Sequence, residues 1–108
     1  MIKGYTGIKQ SKELAKILPL ESADMGYLWN GISSFCEYPV NNQTIFKRIE
    51  NIPCWSLAAL MNVLDRGNLF KTPQGWVSQS YIDSKVITSD HYDNPIDACY
   101  ETIIKLKI

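Results

Sequence analysis

The sequence predicts an α+β fold, three helices packed on a small antiparallel sheet in the order α-ββ-α-ββ(β)-α. The longest apolar run, Pro53–Leu64 (PCWSLAALMNVL), places Leu57, Leu60, Met61 and Leu64 at i, i+3, i+4 and i+7, one face of a helix. At the other end of the chain, Asn94-Pro95 precedes Ile96, Cys99, Ile103 and Leu106, a second helical stripe with its start signal in front of it. Between the helical stretches lie short segments rich in aromatic and β-branched residues, bounded by Gly, Pro, Asn and Asp, as strands and turns are. The chain of 108 residues is read as one globular domain, 1–108, long enough to bury a core without staples.

In order, the first helix is expected over Gly7–Leu18, with Ile8, Leu14, Ile17 and Leu18 on its apolar side and Lys9, Lys12, Glu13 and Lys16 toward water. Thr6 or Ser11 caps it, and Pro19 ends it by lacking a donor and pushing Leu18 out of helical geometry. Met25–Asn30 reads as a strand and Thr44–Ile49 as its returning partner in a long hairpin, with Ile32–Pro39 showing no period. Pro53 is expected at the first position of the central helix, where its missing N–H costs nothing. Gly67, in Asp65-Arg66-Gly67-Asn68, is expected as its left-handed terminator. Leu69–Lys71 and Trp76–Tyr81 read as strands joined by Thr72-Pro73-Gln74-Gly75, and Lys85–Thr88 as a third strand after an Asp83-Ser84 turn. In WVSQSY, Trp76, Ser78 and Ser80 share one face and Val77, Gln79 and Tyr81 the other, so neither face is purely apolar. In the last helix Asn94 caps, Asp97 meets the helix dipole, and Glu101 and Lys105 form an i, i+4 pair.

Composition narrows the function classes. Eleven acidic residues balance eleven basic ones, so the basic excess that drives nucleic-acid affinity is missing. No apolar run approaches the ~20 residues needed to cross a bilayer, and MIKGYTGIKQSKEL has no secretory apolar segment. The expected compartment is the cytoplasm. Cys36, Cys54 and Cys99 are odd in number and irregularly spaced, which does not describe a disulfide framework.

Three segments together resemble a known group: LAKILPLESADM (Leu14–Met25), IPCWSLAALMNVL (Ile52–Leu64) and DNPIDACYETIIKL (Asp93–Leu106). The chain resembles short uncharacterised proteins of gut bacteria and their phages and mobile elements. In these a P-x-W-S-L-x-A-L segment precedes a variable hairpin, and an N-P-x-D-A-x-x-E helix closes the chain. The resemblance covers roughly two thirds of the sequence and implies a mobile-element accessory protein. It carries over no catalytic residue.

Each candidate site has a plainer competing explanation. Cys54, placed in the first turn of the central helix, would have its thiolate favoured by the dipole, and His91 downstream could act as its base. No nucleophile elbow surrounds Cys54, and a core-packing thiol is the simpler reading. His91 is the lone histidine, so a metal would need scattered ligands such as Cys36, Cys54 and Cys99; a solvent-exposed loop histidine is simpler, and no metal or cofactor is expected. Glu21 and Asp24, three apart, could serve as acid and base, but helix capping is the favoured role. Tyr27, Trp29, Trp76 and Tyr81 fall in the hairpins, where aromatics either anchor an interface or pack beneath a helix. The expected function is a non-catalytic protein-binding module of mobile-element or phage origin, contacting an unidentified protein partner through Tyr27, Trp29, Trp76 and Tyr81, with a homodimer as one form of the complex. The alternative is a small hydrolase using Cys54/His91 or Glu21/Asp24.

Overall fold

A computed structural model describes residues 4–29, 34–37, 51–64 and 66–107. Helix α1 is Ile8–Ala15, followed by a 3-10 turn, Leu20–Ser22, and strands β1 (Met25–Trp29), β2 (Ser34–Glu37) and β3 (Ile52–Cys54). Helix α2 (Leu57–Val63) leads to β4 (Asn68–Thr72), β5 (Gly75–Ile82) and β6 (Lys85–Thr88), and α3 (Pro95–Lys107) closes the fold. The α+β class and the alternation of helices with strand groups are as the sequence predicts. The strands form two antiparallel sheets, ordered β2-β1-β3 and β4-β5-β6, and not one.

The first sheet corrects the start of the central helix. Ile52–Cys54 pairs with β1, Tyr27 opposite Ile52, Gly26 opposite Pro53 and Met25 opposite Cys54. Pro53 is therefore a strand residue. An edge strand needs no N–H on its outer side, which is why the proline fits there as well as it would at a helix start. The helix begins after Ser56, whose Oγ accepts from Ala59 N–H at 3.2 Å. Cys54 and Trp55 precede it. The apolar period from Leu57 onward is unaffected, and Leu60 is fully buried. β1 also pairs with β2, Tyr27 opposite Cys36. The expected partner of β1, Thr44–Ile49, lies outside the described residues.

At the end of α2 the left-handed residue is Arg66, at φ 54°. Gly67 is needed for a different reason: a Cβ there would lie 2.7 Å from Leu64 Cβ. Helix α1 is shorter than expected. Its N-cap is Gly7, whose N–H donates to Gln10 Oε1 at 3.0 Å; Thr6 and Ser11 instead bond each other in the interior.

In the second sheet the turn chemistry reads through to register. The Asp83-Ser84 turn pairs Ile82 with Lys85 and Tyr81 with Val86. The Thr72–Gly75 turn pairs Phe70 with Val77 and Lys71 with Trp76. Beyond β6 the chain stays beside β5, Trp76 and Tyr92 exchanging hydrogen bonds of 2.7 and 3.0 Å. Gly75, at φ 134°, makes room for this return, because a Cβ there would meet Tyr92 O at 2.6 Å.

The core gathers Leu14, Leu18, Trp55, Leu60, Leu64, Ile96, Cys99 and Ile103 between the helices, with Leu69 reaching in from β4. Trp55 is fully buried, and its indole N–H donates to Ser22 Oγ at 3.0 Å, so a large apolar body is buried with its one polar group satisfied. Helix α3 lies on the Ser78/Ser80 side of β5, where Thr102 Oγ1 donates to Ser78 O at 3.2 Å. Small residues on that strand face let helix and sheet approach.

Candidate protein-binding face on the second sheet

Strand alternation assigns the two faces of the second sheet. Trp76, Ser78 and Ser80 point to the α3 side, and Ser78 and Ser80 are fully buried there. The opposite face carries Phe70 from β4, Val77, Gln79 and Tyr81 from β5, and Val86 and Thr88 from β6. Val77 is buried, but Phe70 is 40 %, Tyr81 41 % and Val86 52 % exposed. Ile82, at the tip of the β5–β6 hairpin, is 39 % exposed, so every residue from Tyr81 to Val86 is open to solvent.

The polar groups of this face hold one another. Tyr81 Oη donates to Gln79 Oε1 at 3.3 Å, and Gln79 Nε2 donates to Thr88 Oγ1 at 3.3 Å. That relay crosses from β5 to β6 and restrains the Tyr81 ring. A restrained aromatic with a polar tip loses little side-chain freedom on contact, which suits an interface anchor.

The four aromatics named from the sequence separate. Tyr81 is on the exposed face. Trp76 is half-buried on the α3 side, with Lys71 Nζ 5.8 Å from its ring centroid. Tyr27 is half-buried in the first sheet, its hydroxyl donating to Thr6 O at 2.8 Å and its ring meeting Tyr5 edge-on at 6.1 Å. Trp29 belongs to β1. Phe70 and Val86 carry no signal of their own in the sequence, although the two turns contain the register that sets them beside Tyr81.

The catalytic candidates occupy different parts of the molecule. Cys54 lies in a strand, so the helix-dipole argument for its thiolate does not apply; it is fully buried, and its thiol contacts Thr6. His91 is exposed in the return after β6. Asp24 Oδ1 accepts from Ser56 N–H at 2.9 Å, and its other oxygen accepts from the Ser56 hydroxyl. Asp24 thus holds Ser56, the N-cap of α2, and the expected capping of its own turn gives way to this distant support. Glu21 is exposed on the rim of a shallow groove of about 280 Å³ between the 3-10 turn and α2, floored by Ala59 and flanked by Leu18 and Asn62. Neither Cys54 nor His91 lines that groove. Among the described residues no three His, Cys, Asp or Glu side chains gather as metal ligands. No helix among the described residues is long and apolar enough to cross a membrane.

No protein-family model, no curated protein and no solved structure matches the chain.

Proposed function

We propose that this chain is a cytoplasmic protein-binding module, of the accessory kind found in phages and mobile elements, and that it contacts its partner through the face of the second sheet turned away from α3. The observation that carries this reading is the grouping of Phe70, Tyr81 and Val86 on one face, each about half open to solvent, beside an exposed hairpin tip. Clustered exposed apolar residues of this kind cost solubility unless a partner covers them. Aromatic anchors at such positions carry a large share of interface energy. Tyr81 is the anchor retained from the hairpin aromatics; Tyr27 and Trp76 are half-buried away from this face. A homodimer through the same face is one form the complex could take.

The test replaces Tyr81 with a photo-crosslinking aromatic residue and irradiates the chain in extract from its native host. A discrete adduct is expected, competed away by the wild-type chain but not by the Phe70→Ser/Tyr81→Ser double variant, whose melting temperature should stay within a few degrees of wild type. Adduct formation indistinguishable from that of a probe placed at Lys16, exposed just after α1, would remove the proposal.

A further inference from the structure

The first described residues do more than lead into α1. Gly4–Thr6 runs antiparallel to the junction of β3 and α2, with Tyr5 opposite Ser56. Thr6 N–H donates to Trp55 O at 2.9 Å, and Leu57 N–H donates to Gly4 O at 3.3 Å. The Thr6 side chain is fully buried; its hydroxyl is 2.7 Å from Ser11 Oγ and accepts from Trp55 N–H at 3.2 Å. The Tyr27 hydroxyl holds Thr6 O from the first sheet.

No side chain of this segment belongs to the apolar core. It is held by hydrogen bonds and one aromatic edge contact, and Gly7 joins it to α1. Segments with few buried apolar contacts open at a smaller free-energy cost than the domain that carries them. Directly beneath lies Cys54, whose thiol is 3.4 Å from Thr6 O and 3.5 Å from Thr6 Oγ1. Cys99 is equally buried but sits inside the helical core, 3.7 Å from Met61 Sδ.

We infer that Gly4–Thr6 is a strap that opens as a unit ahead of the rest of the fold, and that its opening governs access to the Cys54 thiol and to the Trp55–Leu57 backbone edge. Opening gives the Trp55 carbonyl and the Leu57 N–H to water and lifts Thr6 from the sulfur. α2 keeps its Ser56 cap and Asp24 support, so the helix survives the change.

The experiment follows thiol reaction with an aromatic disulfide in the native full chain carrying Cys36→Ser. The Cys54 thiolate attacks one sulfur of the reagent and forms a mixed disulfide. The aryl thiolate leaves with the electron pair of the broken S–S bond, and the thiol proton goes to buffer. Cys54 is expected to react at least tenfold faster than Cys99, with a rate insensitive to low denaturant. Tyr27→Phe removes one strap hydrogen bond and should speed Cys54 about fivefold; the bond is lost on global unfolding too, so Cys99 should quicken by no more than the same factor and stay at least tenfold slower. One common rate for both thiols, tracking global unfolding, would overturn the strap, as would a Cys54 rate that Tyr27→Phe leaves unchanged. Native-state amide exchange gives the same reading without substitution: Thr6 and Leu57 N–H should exchange ahead of the amides of α3, and equal protection would also refute it.

Discussion

Gln10 bridges two helix starts. Its Oε1 accepts from Gly7 N–H at the head of α1, and its Nε2 donates to Asp97 Oδ1 at 2.7 Å in the first turn of α3. Asp97 in turn receives Asn94 Nδ2 at 2.8 Å, while its N–H donates to Asn94 Oδ1 at 2.9 Å. One amide therefore joins the caps of the first and last helices. Asp24 does comparable work for α2 through Ser56. Helix starts leave donors that side chains must satisfy, and a cap is worth about 0.5–2 kcal/mol. Gln10→Ala should lower the unfolding free energy by about 1–2 kcal/mol. Asp24→Ala, which leaves the Ser56 N–H unpaired in a part-buried site, should cost about 1–3 kcal/mol. Urea unfolding of both variants checks this; a change within error for Asp24→Ala would mean that water replaces its carboxylate at no cost.

At the scale of the element, the β5–β6 hairpin carries a conflict between its turn and its residues. Asp83 and Ser84 both have positive φ, 49° and 67°. Two such residues in a two-residue hairpin loop describe a type I′ turn, whose twist matches the strands but which favours Asn-Gly. A side chain in the left-handed region costs about 1 kcal/mol, more for serine than for aspartate. The double substitution Asp83→Asn/Ser84→Gly should raise stability by about 1 kcal/mol and leave the Tyr81–Val86 pairing intact. Thermal unfolding with an NMR check of cross-strand contacts decides it. A destabilised variant would show that the aspartate or serine side chain serves the turn directly.

For the whole molecule, the two sheets are held together through the helices, and one buried thiol with two half-buried phenols sets an alkaline limit. Burial pushes the Cys99 thiol up to about 11, against a smaller opposing pull from the Ser78 hydroxyl. Burial also raises the Tyr100 phenol, with the Glu13 charge adding to it, and raises Tyr92, with Glu101 as the main charge acting in the same direction. A thiol that is harder to ionise when folded binds its proton more tightly in the native state. Its stabilisation is complete below the ordinary thiol value of 9.0 and is lost as pH rises through about 11. Melting temperatures measured from pH 8 to 11 should therefore fall, and they should fall less steeply in Cys99→Ala, whatever that variant's stability at neutral pH. Parallel pH profiles for the two chains would show that Cys99 does not set the limit.

Much of this fold is legible in the chain because it is written locally. The i, i+3, i+4 spacing of Leu57, Leu60 and Met61, the Asn94-Pro95 start of α3, and the Asp83-Ser84 turn each depend on residues within one or two turns of backbone. Turn chemistry even contained the register that brings Phe70, Tyr81 and Val86 to one face, although the alternation in WVSQSY alone, with serines on one side and glutamine on the other, could not say which face a helix covers. That choice belonged to the tertiary structure, because α3 takes the side whose serines let it come close. The same holds for Pro53 and Cys54. Locally the proline is an acceptable first helical residue; only hydrogen bonding with Met25–Tyr27, far away in sequence, makes Ile52–Cys54 a strand and moves the helix start to Ser56. The neighbours of Asp24 suggest a local cap, yet the carboxylate holds Ser56, the N-cap of α2, because that is where the chain returns. Periodicity and turn residues act over a few bonds and survive in one dimension; strand partners, buried faces and shared caps depend on which distant segments meet.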